Sequence, residues 1–388
     1  MDFLNETPLA THLARAHLFF QDLLQAIVVV KGTFDVLPTG ETRLCAEQLP
    51  LQLEDEETPL GPIEAEIVPA KAWCDVAVLG HARSRSARRP VTQTTVSLRI
   101  GRRFSRAVRV TGDREWTRVL GRLRPSTPRP FTELPLTYRH AFGGSARQSE
   151  ELDADFWANP GGRGYVALKE DAEGCPLPNI EELDQPVRSW QDRPLPAGLA
   201  PLARSSVLRA QRGVAVDLPR QTTRIDASAF CFCHPRMSLP AYPHGASVEL
   251  GGVRFGKPWQ FCLPKFRYQI RVDLGQARYL LPLQPDTLYF RPDEARVVVV
   301  ARCAFVYQFV PEKPRSLRVQ ATPEALTPEP PVSPQHPLTT IRQQRAAKEP
   351  TVPIVIPPST ELSLALEPVI AAHPLIDLIE NLPLCPSG

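Results

Sequence analysis

Long apolar runs are missing from this sequence. No stretch approaches the ~18 consecutive apolar residues of a membrane helix, so no membrane span is expected. A secretory leader is missing as well. Asp2, Glu6 and Asp22 are acidic, and the apolar run at 26–30 is too short for an h-region. On these absences the chain is expected to stay in the cytoplasm unless something carries it. The eight cysteines lack the spacing of a disulfide framework, and in a reducing compartment they read as small buried apolar groups. Overall charge bias is slight, at +3. The sequence contains neither the G-x-S-x-G pentapeptide of a nucleophile elbow nor the G-x-x-x-x-G-K-[ST] of a phosphate loop.

Proline is present in excess. Its 43 copies in 388 residues are about 11%, against a usual ~5%. Proline has no N–H and a fixed φ, so it disfavours long helices and central strand positions. Short β-branched runs bounded by turn residues recur at 24–36, 76–79, 91–100, 107–110, 247–250, 268–274, 287–290 and 297–309, with a further strand expected at 229–233. Residues 134–213 are rich in Pro, Gly, Asn and Asp with poor periodicity, which reads as ordered loop. The fold expected is mainly β: an antiparallel sandwich or barrel-like body with long ordered Pro/Gly-rich loops and a Pro-rich C-terminal tail. Residues 1–21 read as a lead-in of weak helical character and 22–310 as the β-rich domain. Residues 311–358, with 12 prolines, read as an extended linker, and 359–388 as an apolar docking tail.

Residues 83–124 hold 13 arginines against two acids, Asp113 and Glu115, a net of +11. The two strands there form a hairpin whose outward face would carry Arg99, Arg102, Arg103, Arg106 and Arg109. Such a surface suits a solvated strand face, a protein interface or nucleic acid. Aromatic side chains for base stacking are sparse among these arginines (Phe104 and Trp116) and no nucleic-acid motif is present, so protein is favoured over nucleic acid.

Three segments invite a chemical reading. Cys231-Phe-Cys233-His234, with Cys262 and His244, could supply metal ligands. A C-x-C-H run on a strand aims its side chains to opposite faces, whereas zinc needs four converging ligands, so buried packing is the reading taken. His140-Ala-Phe-Gly143-Gly144-Ser145 and Asn159-Pro-Gly-Gly-Arg163-Gly-Tyr165 read as glycine turns rather than as an oxyanion loop or a nucleotide loop. Asp153, Asp155, Glu181 and Glu182 read as solvated loop acids. Trp116, Tyr138, Phe142, Trp157 and Tyr165 flank the turn motifs, and several of them are expected to pack into one aromatic cluster.

Several of these motifs occur in a familiar order. They are Lys31-Gly-Thr-Phe, Glu66-Ile-Val-Pro-Ala-Lys71 with Asp75-Val-x-Val-x-Gly80, and Gly112-Asp-Arg-Glu-Trp116. Pro135-Leu-Thr-Tyr-Arg-His-Ala-Phe-Gly-Gly144, Asn159-Pro-Gly-Gly-Arg-Gly-Tyr165 and Leu177-Pro-Asn-Ile-Glu181 follow. Phe261-Cys-Leu-Pro264 and Leu283-Gln-Pro-Asp-Thr-Leu288 with Pro292-Asp-Glu294 complete the set. From about residue 24 to about residue 309 the chain resembles the bacterial domain-of-unknown-function family 2169. That resemblance implies a part in type VI secretion, as a non-enzymatic adaptor or chaperone that binds a toxin effector and loads it onto a VgrG or PAAR-like spike. It lends no catalytic residues, cofactor or metal. The partner-binding residues expected are the five hairpin arginines, Tyr138, Phe142, Trp157, Arg163 and Tyr165 in the loops, and Leu364, Leu366, Ile370 and Ile376 in the tail. The competing reading is a hydrolase-like enzyme using His140 or the Cys233/His234 region.

Overall fold

The β-branched run near the N-terminus forms one strand, Leu23–Val36, with Ala26, Val28, Val29 and Val30 fully buried. Burial of successive residues means that both faces are covered, as in a central strand. Its partner Arg296–Gln308 pairs with it antiparallel along its whole length, from Asp35↔Arg296 to Leu23↔Gln308. The computed structural model describes residues 1–17, 23–147, 153–204, 206–210, 214–217, 222–225, 227–275, 277–308, 315–322, 354–355 and 362–364. Among these, helix is confined to one four-residue turn, Val207–Ala210, and four short 3-10 segments. The body is mainly β, in several sheets, and none closes into a barrel.

The long ribbon is the spine of an eight-stranded sheet. Its main path runs Ala10–His17, Leu23–Val36, Arg296–Gln308, Gln284–Arg291, Cys74–Val78, Ser238–Leu239. One pairing on this path is parallel, Gln284–Arg291 with Cys74–Val78. A bulge between Pro285 and Thr287 leaves Asp286 outside the ladder register. Proline cannot donate to the ladder, and a bulge beside it re-aims the next side chain.

A five-stranded antiparallel sheet, in the order Ile180–Glu182, Phe104–Thr111, Gln93–Ile100, Ser247–Gly251, Trp259–Cys262, packs on the first. Val96, Leu98 and Ile100 enter the same core as Val28, Val298 and Phe290, while Arg99 between them faces out. Phe261 meets Phe290 edge-on at 5.9 Å between ring centres, one of the contacts joining the sheets. Each fully buried aliphatic or phenyl group in this core contributes roughly 1.5–3 kcal/mol.

Three segments differ from the sequence reading. The lead-in is not helical: Asp2–Asn5 and Ala10–His17 are strands, the first lying parallel to Ser316–Ala321 and the second antiparallel to Leu23–Val36. Sheet edges offered those residues backbone partners that local propensity cannot reveal. Ser316–Ala321, inside the span read as linker, is itself a strand of a four-stranded sheet and buries Leu317 and Val319 completely. Residues 229–233 are not a strand, because Ala227–Phe230 is a 3-10 turn. The amides of Phe232 and Cys233 then donate to the Asp75 carboxylate at 3.0 and 3.3 Å instead of to a ladder. Within the span read as linker, Ile354–Val355 also pairs, with Phe305 and Val306, and in the tail Leu362–Leu364 pairs with Thr223–Ile225.

Candidate functional site: a cross-tied loop layer beside an arginine surface

Four of the sequence motifs meet at one buried amide. Asn179, fully buried, donates from Nδ2 to the Thr111 carbonyl and to Asp113 Oδ1, both at 3.0 Å. Its Oδ1 accepts from Arg163 at 3.0 Å and lies 2.9 Å from His140 Nδ1, so the imidazole donates there. A neighbouring amide, Asn159, donates to the carbonyls of Tyr138 and Phe142 at 2.8 and 3.1 Å. Gly143 sits beside it at φ 150, where a Cβ would collide with the Asn159 carbonyl oxygen. The glycines in these motifs thus serve close backbone approach, and the polar side chains tie the loops together.

Burial holds the His140 imidazole below the usual histidine range, helped by the Arg163 charge and opposed by the Asn179 bond and Asp113. A histidine whose folded pKa is depressed stays neutral while the unfolded chain takes up a proton. Its contribution to stability is complete above the unfolded pKa of about 6.5 and is lost as pH falls through the lower folded value. We expect a thermal melt to lose part of its midpoint as pH drops below about 6.5, and a His140→Gln variant to show a flatter profile across that window. Parallel profiles for the two proteins would show that His140 does not titrate in this way.

Beneath the loops lie ion pairs sealed from water. Lys71 Nζ is 2.6 Å from Asp75 Oδ2 with both side chains at most 2% exposed, and it sits 3.6 Å above the Phe232 ring. Lys31 meets Glu66 at 2.9 Å, and Arg302 meets the bulge carboxylate Asp286 at 2.9 Å. Burial pushes the Asp286 carboxyl up, against the pull of Arg302 and Lys71. Arg209 pairs with Glu64, Arg106 with Glu182, and Arg114 with Glu181 at 2.8 Å. Glu181 and Glu182, read as solvated acids, are therefore buried and paired. Arg106, read as outward-facing, shares the inward row of Phe104, Val108 and Val110.

The remaining arginines of 83–124 divide sharply. Arg83, Arg99, Arg106, Arg114 and Arg118 have carboxylate partners, and Arg109 donates to the Leu183 carbonyl at 2.9 Å. The other seven, Arg85, Arg88, Arg89, Arg102, Arg103, Arg122 and Arg124, are exposed and have no carboxylate partner among the described residues. Arg99 and Glu249 line an open groove of about 480 Å³ on the outer face of the five-stranded sheet, together with Gln260 and Cys262.

The remaining sequence candidates scatter. Cys231 and Cys233 are buried, Cys262 is exposed on its strand, and His234 accepts from the Arg236 amide at 3.1 Å to cap a 3-10 turn. Among the described residues no group of three or more His, Cys, Asp or Glu converges as a metal site. Burial pushes the Cys233 thiol well up, which leaves it a poor nucleophile. Ser145 Oγ bonds to Asp155 rather than to His140. Trp116, Phe142 and Tyr165 do share a cluster, built around Phe156. Tyr138 belongs to a separate one with Ala200 and Leu202, and Trp157 is half exposed. Tyr138 and Phe142 are buried, so they shape the loops rather than present a surface, whereas Arg163 and Tyr165 are partly exposed. Leu364 lies in the paired strand Leu362–Leu364, and Leu366, Ile370 and Ile376 lie outside the described residues. No helix among the described residues is long and apolar enough to cross a membrane. The sequence reading missed the buried pairs, although Lys31, Asp75 and Arg302 each interrupt an apolar run. It also missed Leu120, a solvent-facing leucine at a hairpin tip.

The family described as "Uncharacterized protein conserved in bacteria (DUF2169)" matches residues 22–302. The chain belongs to this family. Its matched span begins beside the first strand of the long ribbon and ends within the second. No curated protein and no solved structure matches the chain.

Proposed function

We propose that this family member is a non-enzymatic adaptor, or chaperone, of type VI secretion that works in the bacterial cytoplasm. It holds a toxin effector and helps load it onto a VgrG or PAAR-like spike. The observation that carries the reading is the contrast between the two sets of arginines. Buried guanidinium groups are matched by carboxylates inside the fold, while seven exposed ones between 83 and 124 have none among the described residues. Unmatched arginine forks on a rigid sheet and its hairpins suit carboxylates on another protein. The loop layer adds support, since its cross-ties fix a large irregular surface of the kind shape-specific binding requires. Buried thiols and a histidine bound to an amide give a nucleophile-and-base mechanism little to work with.

Charge-led recognition predicts an association rate that falls steeply with ionic strength and a dissociation rate that changes less. The test is kinetic binding of the full-length chain to the effector and spike proteins encoded beside it, from low to ~0.5 M salt. Reversing Arg88, Arg89, Arg102 and Arg103 to glutamate is expected to slow association at least tenfold without altering the melt. Absence of binding to any of those proteins would sink the reading, and salt-independent association would sink the role given to the arginines.

A further inference from the structure

The hairpin formed by Trp116–Val119 and Arg122–Pro125 is a two-stranded sheet of its own. Its register, Val119↔Arg122, leaves Leu120-Gly121 as a two-residue turn. Both turn residues have positive φ, 49° and 76°. Turns of this kind favour Asn-Gly or Asp-Gly, because the left-handed region strains a side chain that carries a bulky Cβ substituent. Gly121 meets the requirement and Leu120 does not. Packing does not offset the strain either, since Leu120 is 99% exposed and Val119 beside it 47%. Ala295, the other non-glycine residue at positive φ among the described residues, is small and packs against the main core. Leu120 therefore packs against nothing among the described residues, and backbone strain at such a place points to a function met outside the chain.

The base of the hairpin is firm where the tip is not covered. Trp116 is buried in the loop-layer cluster, Leu123 packs against it, and Thr117 Oγ1 donates to the Arg124 carbonyl at 3.2 Å. Arg122 and Arg124 are exposed with no carboxylate partner among the described residues, while Arg118 meets Glu173 at 3.1 Å. The result is a fixed finger with an aliphatic tip and cationic sides.

We propose that this finger is a docking element: Leu120 and Val119 enter an apolar pocket on a folded protein partner, and carboxylates at the pocket's mouth meet Arg122 and Arg124. The proposal deepens the adaptor reading and rests on it for the class of partner. A lipid surface is disfavoured because two aliphatic side chains offer less apolar area than one acyl chain, which itself anchors only marginally.

The test places a benzophenone side chain at position 120 of the full-length protein in the bacterium that encodes it. Leu280, 61% exposed on another sheet, serves as the control position. Illumination should trap one acidic polypeptide from position 120 and not from 280. Leu120→Gly, and separately Arg122→Glu with Arg124→Glu, should each weaken binding of that purified polypeptide at least tenfold. Leu120→Gly should also melt at or above the parent temperature, because glycine relieves the turn. No specific adduct, an adduct with lipid, or unchanged affinity in Leu120→Gly would overturn the proposal. If the trapped polypeptide is neither effector nor spike, the finger stands and the adaptor reading fails. If the effector binds the parent and Leu120→Gly alike, the adaptor reading stands and the finger fails.

Discussion

Replacing Asp75 with alanine is expected to remove about 3–5 kcal/mol of stability, the usual cost of stranding one member of a buried ion pair. Three donors converge on this carboxylate: the Lys71 ammonium and the amides of Phe232 and Cys233. Without it the ammonium loses its paired carboxylate and keeps the Phe232 ring and the more distant pull of Asp286, and both amides lose their acceptor in a buried place. A domain of this kind has roughly 5–15 kcal/mol in total, so the variant should lie near the edge of folding. Urea unfolding followed by tryptophan fluorescence measures the loss. Lys71→Met should cost less, since Asp75 retains its two amides. The double variant should cost less than the sum of the singles, because the charge stranded by each change is absent once both are made. A loss below about 1 kcal/mol in Asp75→Ala, the scale of an exposed pair, would contradict the sealed arrangement.

The second large effect belongs to Asn179. All four hydrogen-bonding positions of its amide are used, and its partners come from three separate stretches of chain, at 111–113, 140 and 163. Asn179→Ala should cost about 2–4 kcal/mol, the sum of a few buried hydrogen bonds and the groups left unsatisfied. Asn179→Asp should be worse than its near-identical shape suggests. A carboxylate cannot donate to the Thr111 carbonyl, and it would face Asp113. Amide exchange provides a local readout: loss of protection should concentrate at Gly144, Arg163 and Tyr165, whose amides bond within the tied loops. Unchanged exchange there would mean that the loops hold without their hub.

Strands were legible wherever β-branched residues ran long enough, as at Leu23–Val36 and Arg296–Gln308. The short strands Asp2–Asn5 and Ser316–Ala321 were not, because each depends on an edge supplied from far along the chain. Buried charges were half legible. Alternation puts Arg106 on the face of Phe104 and Val108, and Asp75 interrupts the buried run Cys74–Val78, so burial could be read locally. Distant partners could not. Arg106 finds Glu182 and Arg209 finds Glu64, separations of 76 and 145 residues that no local pattern encodes. The same limit applies to the loop layer. Its glycines announced tight turns, but the convergence of Asp113, His140, Arg163 and Asn179 on one point is a property of the folded chain.

The pairing of Leu23–Val36 with Arg296–Gln308 has a consequence for biosynthesis. Ribosomes add ~5–20 residues per second, so the first strand waits roughly 15–60 s before its partner emerges. Throughout that interval the edge it will offer to that partner is open, and an open β-rich edge is the kind of surface that recruits neighbouring chains into aggregates. Lys31 sits in the middle of the segment. Before Glu66 and the Pro50 carbonyl enclose its ammonium, that charge faces water and opposes stacking of one nascent strand upon another. One side chain thus guards the strand during synthesis and becomes part of the sealed interior once the ribbon has closed.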